Sequence, residues 1–271
     1  MQIIEPSFEI MDWEDPIKHI ERCGRVCYKS EDKITDTSAE KFVEMLIKKG
    51  HLSVLEHASC VIHKFQSTNL DDIVALIPEI KSVQQIKDLF QWKSYTRQQE
   101  LLAPKLRVKH HVTVKFICNR GFTHELVRHR GYKFPDEQVI KAKYSQESTR
   151  YCNYSSEAFG SEISVIRPVW LDEDIKTEHL INKEKLNRLR EWEVSCNQAE
   201  TSYFSMIQNG AKPDDARDML PIGLKTEIIC TTTLAHWEHI FNLRCAKAAH
   251  PSMRQLMIPL RKEFIKRGYI V

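Results

Sequence analysis

The chain has 271 residues and a net charge of only +3, so its overall charge says little about its partners. It contains no run of about 18 apolar residues, which excludes a transmembrane helix, and its acidic start does not resemble a secretory signal. Only eight glycines occur, and none has the GxGxxG or GxxxxGK spacing, which excludes the common glycine-rich phosphate-binding loops. Side chains must therefore hold the phosphates of any nucleotide that binds.

The predicted secondary structure mixes strands and helices without a regular βαβ alternation. Strands are predicted where apolar and polar residues alternate, and helices where apolar residues recur every three or four positions. In chain order we predict a strand at 1–12, helices at 15–28 and 39–49, strands at 55–65 and 111–118, helices at 122–130 and 183–209, a short helix from 213, a strand at 226–233, and helices at 234–249 and 252–266. This pattern predicts an α+β fold in one domain, residues 1–271, with a mixed sheet flanked by long helices. Residues 67–109 are polar and helix-leaning, and we predict that they form an inserted helical subdomain.

A local concentration of basic residues lies between Lys105 and Phe134, where eight Lys or Arg stand against one acid, Glu125. This distribution indicates an anionic ligand. A solvated basic face and a nucleic-acid-binding surface are the alternatives, and the second predicts a steep dependence of affinity on salt.

Two polar runs stand out, Arg128-His129-Arg130 and Tyr144–Tyr151, which reads YSQESTRY. Arginine offers planar paired donors that suit phosphate, and the second run can also meet the polar edges of a base. Ser148 has no identifiable base beside it, so we predict that it binds a ligand and is not a nucleophile.

The cysteines and histidines do not indicate a metal site. The eight cysteines form no CxxC pair, which is typical of reduced thiols in a cytoplasmic protein. His124 and His129 are five residues apart, whereas the HExxH zinc motif needs four. His236 and His239 have a usable spacing but no apparent third ligand. We predict that the protein binds no metal.

Four sequence blocks, in order from residue 51 to about residue 255, resemble the motifs of the flavin-dependent thymidylate synthases, the ThyX family. The blocks are KGHLSVLEH at 49–57, RHR at 128–130 with SQESTRY at 145–151, DDARDMLP at 214–221, and FNLR at 241–244 running into AAHP at 248–251. The family has two residues between the halves of the second block, whereas this chain has twelve, 131–142, and Lys143 stands where the family has Ser. We hypothesise that this insertion covers the substrate.

The resemblance implies an enzyme that transfers the methylene group of methylenetetrahydrofolate to C5 of dUMP, giving dTMP. The hydride would come from FAD reduced by NADPH, in an active site between subunits of a homotetramer. The resemblance implies no nucleic-acid or membrane partner. The same chemistry on UMP and a non-catalytic nucleotide-binding homologue remain alternatives.

The resemblance also implies the site residues. His51 would lie by the flavin, and Arg244 would hold the uracil ring and stabilise its N3-deprotonated form; we assign both as catalytic. The alternatives are a structural hydrogen bond for His51 and a helix-end role for Arg244. The implied FAD contacts are Ser53, Arg128, His129, Arg130, Glu147 and His239. The implied dUMP contacts are Glu125, Leu126, Val127, Arg128, Glu147, Ser148, Thr149, Arg150, Arg217 and Arg244.

Overall fold

The computed structural model describes residues 1–12, 15–64, 80–89, 111–133, 139–171 and 183–271. Strands and helices are interleaved along the chain. They are β1 (Gln2–Ile4), β2 (Ser7–Met11), α1 (Pro16–Tyr28), α2 (Ser38–Lys48), α3 (Val83–Leu89), β3 (His111–Asn119), α4 (Arg120–Leu126), β4 (Gly131–Lys133), β5 (Val139–Lys141), β6 (Lys143–Gln146), β7 (Ser164–Ile166), α5 (Lys183–Gln208), α6 (Pro213–Ala216), β8 (Lys225–Thr233), α7 (Leu234–Arg244) and α8 (Pro251–Lys266).

The main sheet is antiparallel and has the strand order β2-β3-β8-β6. Its two long central strands pair along their whole length, from His111 opposite Thr233 to Asn119 opposite Lys225. β1 pairs with β7 in parallel, and β4 with β5 forms a separate antiparallel hairpin. The predicted combination of helices with a sheet in an α+β fold is confirmed, but the main sheet is antiparallel where a mixed sheet was predicted.

Each face of the central strands packs against its own pair of helices, because successive side chains of a strand point to opposite faces. Val114, Phe116 and Ile228 pack on one face together with residues of α7 and α8. On the other face, Ile229 joins the buried apolar residues of α1 and α2. The sheet therefore joins two hydrophobic cores.

A chain of buried hydrogen bonds crosses the second face of the sheet. His19 Nε2 lies 3.2 Å from Thr113 Oγ1, which lies 2.8 Å from Thr231 Oγ1. His57 bonds to Thr231 through Nδ1 at 2.8 Å and to Ser145 Oγ through Nε2 at 3.0 Å. These bonds join α1, β3, β8, the segment after α2 and β6, so this polar chain fixes how the elements stack.

The predicted strand at 55–65 is wrong. Residues Leu52–Lys64 form a 3₁₀ helix, and Phe65 lies outside the described residues. Val54, Leu55 and Ala58 are buried with residues of α1 and α2. This segment has apolar residues three and four positions apart, which fit a helix, and alternating apolar residues, which fit a strand. Packing against α1 decides in favour of the helix.

Three predicted boundaries are corrected. Residues 1–12 form two strands, interrupted by Pro6, which lacks the N–H that a ladder needs. The helix predicted at 122–130 spans Arg120–Leu126, because the chain turns to place the following residues beside β6. The helix predicted at 234–249 ends at Arg244, and the next helix begins at Pro251. The helices predicted at 15–28, 39–49 and 183–209 are confirmed within one residue at each end.

Of the insertion predicted at 67–109, only residues 80–89 are described, and they contain α3. The rest of this prediction lies outside the described residues. Within the described part of the chain, no helix combines the length and the apolar character that crossing a membrane requires. The seven cysteines whose side chains are described are free thiols.

Candidate functional site

The Arg128-His129-Arg130 segment directly follows α4 and is anchored by β6. Tyr144 Oη lies 3.0 Å from the carbonyl oxygen of Leu126 and 2.9 Å from that of His129, so its single proton is shared between them. His129 is buried, whereas Arg128 and Arg130 are exposed. The turn thus presents two guanidinium groups on either side of an inward-facing imidazole, an arrangement suited to an anion.

Arg244, the last residue of α7, is held by three hydrogen bonds. Nε donates to His129 Nε2 at 2.7 Å, Nη1 donates to the Glu125 carboxylate at 2.6 Å, and Nη2 donates to the Glu125 carbonyl oxygen at 3.2 Å. Burial, with the charge of Arg244 next in importance, lowers the pKa of His129 to about 4, so this imidazole is neutral at pH 7 and can accept. We call Glu125, His129 and Arg244 the Arg244 cluster.

The contacts within the Arg244 cluster leave part of the guanidinium available. A guanidinium has five N–H groups, and the three hydrogen bonds listed above use one each. Two N–H groups therefore remain for a ligand, on a group whose orientation is already set by the protein.

A group of rings adjoins the Arg244 cluster. Tyr132 of β4 lies 4.3 Å from His239 and 5.8 Å from His236, and His129 lies 6.3 Å from His239, all between ring centroids. His236 Nδ1 bonds to Thr232 Oγ1 at 2.9 Å, but its buried Nε2 has no hydrogen-bond partner among the described residues. A buried ring nitrogen without a partner marks a position that a bound polar group can satisfy.

The twelve-residue insertion at 131–142 contains the β4–β5 hairpin. Through Tyr132 this hairpin contacts His236 and His239 of α7. The described part of the insertion, residues 131–133 and 139–142, therefore lies beside the Arg244 cluster, and the hypothesis that the insertion covers a substrate stays a prediction.

A second group of predicted residues lies at the end of α1. The rings of His51 and Tyr151 both face the ring of Tyr28, with centroids 6.0 and 5.6 Å away. The guanidinium carbon of Arg150 lies 5.3 Å from the centroid of Tyr151. We call His51, Tyr28, Tyr151 and Arg150 the Tyr28 cluster. No hydrogen bond or ring contact among the described residues joins it to the Arg244 cluster.

Glu147 is buried, and both of its carboxylate oxygens have internal partners. Oε1 accepts from Tyr154 Oη at 2.9 Å, and Oε2 accepts from Lys225 Nζ at 2.9 Å. Arg120 also donates to the Glu147 carbonyl oxygen at 3.0 Å. In this chain Glu147 therefore holds the turn that carries Ser148 to Arg150; its direct contact with FAD and dUMP stays a prediction.

Glu227 of β8 extends this ionic network. It accepts hydrogen bonds from Lys225 at 2.6 Å and from Lys29, and it pairs with Lys115 at 2.5 Å. Burial alone would raise the pKa of Glu227, but these lysines outweigh it and hold the pKa far below its usual range. The network adjoins the Tyr28 cluster, because Lys29, which pairs with Glu227, directly follows Tyr28 in the chain. The N–H of Ser148 also donates to the carbonyl oxygen of Cys27 at 3.2 Å.

The remaining predicted contacts are spread over the surface and the core. Ser53 is exposed beside His51, and Ser148 Oγ accepts from the N–H of Arg150 at 3.3 Å. The side chain of Leu126 is fully buried in the core, and its carbonyl oxygen accepts from Tyr144 and from the N–H of His129. Val127 and Thr149 are half-buried.

Arg217 begins a 3₁₀ turn after α6 and is exposed. It makes no ion pair within the described residues, and no contact brings it to Arg150. The two arginines predicted to bind one phosphate are therefore not brought together by described contacts within this chain.

Sequence reasoning missed four residues that organise these clusters. Lys225 and Glu227 carried a usable signal, because two charges inside a β-prone run need partners once the strand is buried. Tyr28 and Tyr132 carried none, since each is placed by contacts with residues distant in sequence.

The site thus combines exposed arginines with neutral, buried histidines on an α+β scaffold, side chains of a kind that suits an anionic ligand. Residues 9–68 and 101–267 match the family described as Thymidylate synthase complementing protein. The chain belongs to this family. Among the described residues, no three His, Cys, Asp or Glu side chains are arranged to hold a metal ion.

Several relatives carry the name Flavin-dependent thymidylate synthase. The chain is 30% identical to the Pyrococcus furiosus protein over 157 residues, 56% of this chain and 53% of the relative. It is 22% identical to the Geobacter sulfurreducens protein over 252 residues, 91% and 76% of the two chains. It is 24% identical to the Mycobacteroides abscessus protein over 246 residues, 88% and 71%. The chain thus spans about half the length of the Pyrococcus relative and more of the other two.

Proposed function

We propose that the protein is a flavin-dependent thymidylate synthase that methylates dUMP to dTMP. In this proposal methylenetetrahydrofolate donates the carbon, and FAD reduced by NADPH provides the hydride. The observation that carries the proposal is the Arg244 cluster, in which a buried neutral imidazole and a carboxylate hold a guanidinium with two N–H groups to spare. The relatives named above support it.

The residues present fit FAD. The buried, unpartnered Nε2 of His236 offers a polar contact, and the exposed Arg128 and Arg130 offer paired donors for a diphosphate without a glycine-rich loop. Ser53, His129, Glu147 and His239 are the other proposed cofactor contacts. When bound, FAD supplies the hydride-transfer chemistry that side chains lack. The protein then has to bind and orient the cofactor and the substrates, and to exclude water from the site.

The Arg244 cluster would act on the pyrimidine. The two N–H groups that remain on Arg244 can donate to a ring carbonyl and stabilise negative charge that develops on the ring. Glu125 and His129 keep the guanidinium in one orientation, so little reorganisation is needed when the charge appears. Because His129 is neutral, its Nε2 can accept the hydrogen bond from Nε of Arg244.

Arg150 and Arg217 would bind the 5′-phosphate, with Ser148 and Thr149 as neutral donors. We propose that the two arginines meet across a subunit boundary of a homotetramer, since no described contact joins them within one chain. Exposed apolar side chains on α5 and on the segment after α6, Leu186, Val194 and Ile222, support burial in such an assembly. Light scattering should give about four times the 31.8 kDa chain mass.

The test uses the purified full chain incubated with FAD. We expect a yellow protein that bleaches with NADPH under anaerobic conditions and then forms dTMP from dUMP and methylenetetrahydrofolate, identified by mass. If the protein turns over UMP with a kcat/KM equal to or higher than that for dUMP, the result would identify UMP as the substrate in place of dUMP. Nucleotide binding without turnover would indicate a non-catalytic homologue. Failure to take up FAD, with salt-dependent binding of DNA or RNA instead, would overturn the proposal.

A further inference from the structure

Tyr28 is the central ring of the Tyr28 cluster, and none of the motifs includes it. Its hydroxyl is hydrogen-bonded to Nδ1 of His51. Its ring plane lies 19° from that of His51 and 25° from that of Tyr151. Tyr28 thus touches both the histidine proposed to lie by the flavin and the aromatic neighbour of Arg150, which is proposed to bind phosphate.

The backbone holds Tyr28 in place. Tyr28 is the last residue of α1, and Lys29 caps the helix in the left-handed region at φ 49°. The side chain of Lys29 pairs with the buried Glu227, and the preceding Cys27 carbonyl accepts from the N–H of Ser148. The edge of Phe42 packs against the Tyr28 ring at a centroid distance of 6.4 Å. The end of α1 is therefore fixed to both β8 and the 147–150 turn.

His51 has one described hydrogen-bond partner. Its Nδ1 bonds to Tyr28, and its Nε2 makes no hydrogen bond to any residue that the structure describes. The partner at one ring nitrogen determines which nitrogen carries the proton in a neutral imidazole. Burial raises the pKa of the Tyr28 hydroxyl, which therefore keeps its proton at neutral pH and is able to donate.

We propose that Tyr28 is a positioning residue for the reaction. Its hydroxyl donates to Nδ1 of His51, keeps the imidazole proton on Nε2, and presents that N–H as an oriented donor to the ligand. Its ring also aligns Tyr151, and through Tyr151 the guanidinium of Arg150. This inference rests on the proposed function and adds to it a residue that couples the cofactor side of the site to the phosphate side.

A purely structural role predicts something different. If Tyr28 only fills space, Tyr28→Phe keeps the ring, keeps both parallel ring contacts, and leaves His51 chemistry unchanged. The positioning role predicts that the loss of one oxygen atom changes the state of the His51 ring while the fold persists. The two readings therefore separate on a property of His51, not on stability.

The first measurement needs no cofactor and no activity. Protein labelled with ¹⁵N at histidine is recorded at pH 8, and the His51 signals are assigned by their loss in His51→Asn. We expect Nδ1 to be the unprotonated nitrogen in the wild type and to shift in Tyr28→Phe. Tyr203→Phe, which removes a buried hydroxyl in a different core, is the matched control and should leave the His51 signals in place. A protonated Nδ1 in the wild type overturns the inference even if Tyr28→Phe does not fold.

The second measurement uses the FAD-loaded protein. We expect kcat for dTMP formation to fall about 10-fold in Tyr28→Phe, because misorientation of a reacting group lowers the rate more than binding. KM for dUMP and FAD content should stay within about twofold, since the lost hydroxyl contacts neither ligand. Wild-type kcat in Tyr28→Phe overturns the positioning role. A wild-type protein that neither binds FAD nor forms dTMP refutes the proposed function instead, while the His51 spectra still decide how Tyr28 acts on the ring.

Discussion

The Arg244 cluster and the Tyr28 cluster are built in opposite ways. Three hydrogen bonds of 2.6 to 3.2 Å lock the guanidinium of Arg244, whose side chain is 17% exposed. One hydrogen bond and parallel rings organise the Tyr28 cluster, in which Tyr151 is 53% exposed. In the Arg244 cluster, internal hydrogen bonds fix the orientation of a charged group. The Tyr28 cluster is an exposed aromatic surface on which a ligand or a neighbouring subunit can pack. The difference is one of construction: internal hydrogen bonds preset the Arg244 cluster, whereas the Tyr28 cluster stays open on one side.

Replacement of Arg244 should have the largest effect, because it removes the guanidinium that the Arg244 cluster holds in place. Arg244→Lys removes the planar fork that contacts Glu125 and His129 together, so we expect kcat to fall about 10²- to 10³-fold. Steady-state kcat and KM for dUMP, with FAD content, measure this. Arg22→Lys, in an exposed pair with Glu9, is the control and should keep wild-type kcat. A loss below about threefold in Arg244→Lys would remove this residue from the chemistry.

Glu227→Gln tests the ionic network of Glu227 and three lysines, which adjoins the Tyr28 cluster through Lys29. The substitution leaves three lysines without their shared carboxylate, and loss of one partner of a buried pair is strongly destabilising. Loss of one partner of a fully buried pair lowers the free energy of unfolding by about 3 to 5 kcal/mol. Because these lysines are 12 to 29% exposed, we expect the low end, a loss of about 3 kcal/mol. Urea unfolding measures the change. Glu40→Gln, in an exposed pair with Lys87, should cost less than about 1 kcal/mol, and equal losses in both variants would contradict the ionic network's role.

Arg150→Gln sharpens the contrast between docking and chemistry. The substitution removes an exposed cation beside Tyr151 that is proposed to meet the 5′-phosphate. We expect KM for dUMP to rise about 10-fold with little change in kcat, since the loss of one charge-assisted hydrogen bond costs about 1.5 kcal/mol. Arg190→Gln, an exposed arginine on α5, is the matched control. If kcat falls and KM does not, Arg150 belongs with Arg244 in the chemical step.

The last prediction concerns the buried hydrogen bonds of His57, which join the segment after α2 to β8 and β6. Burial, and then the charge of Lys143, lowers the pKa of His57 to about 3, against about 6.5 in an unfolded chain. Between these values the unfolded state binds a proton that the folded state does not. His57 therefore makes stability fall as pH drops from about 6.5 towards 3, with a limiting slope of about 1.4 kcal/mol per pH unit.

His57→Gln removes the group that takes up this proton on unfolding, so it should lower the slope of unfolding free energy against pH by up to about 1.4 kcal/mol per pH unit. Urea unfolding at pH 6.5, 5.5 and 4.5 measures it, and the free energy of unfolding of the variant should depend less on pH than that of the wild type. His250→Gln, at the exposed start of α8, is the control. An unchanged slope in His57→Gln would show that the buried histidine takes up its proton without unfolding.

β3 was predictable from its alternation of apolar and polar residues, and β8 from its run of β-prone residues, although nearly all of β8 is buried. The helices α1 and α5 were predictable from capping residues and apolar spacing. The 3₁₀ helix at Leu52–Lys64 was not, since its alternating apolar residues fit a strand until α1 supplies a surface against which they pack. Periodicity is a local signal, and here a tertiary contact overrides it.

The sequence by itself determined which side chains are available: arginines in place of a glycine-rich loop, the His51 block, and the run from Ser145 to Tyr151. Their order along the chain carries the family resemblance. Only the tertiary structure decided that Arg244 faces Glu125 and His129, more than a hundred residues away in sequence, and that Tyr28 stands between His51 and Tyr151. Such pairings depend on how the sheet stacks its helices, and no spacing along the chain records which distant side chains that stacking brings within a few ångströms.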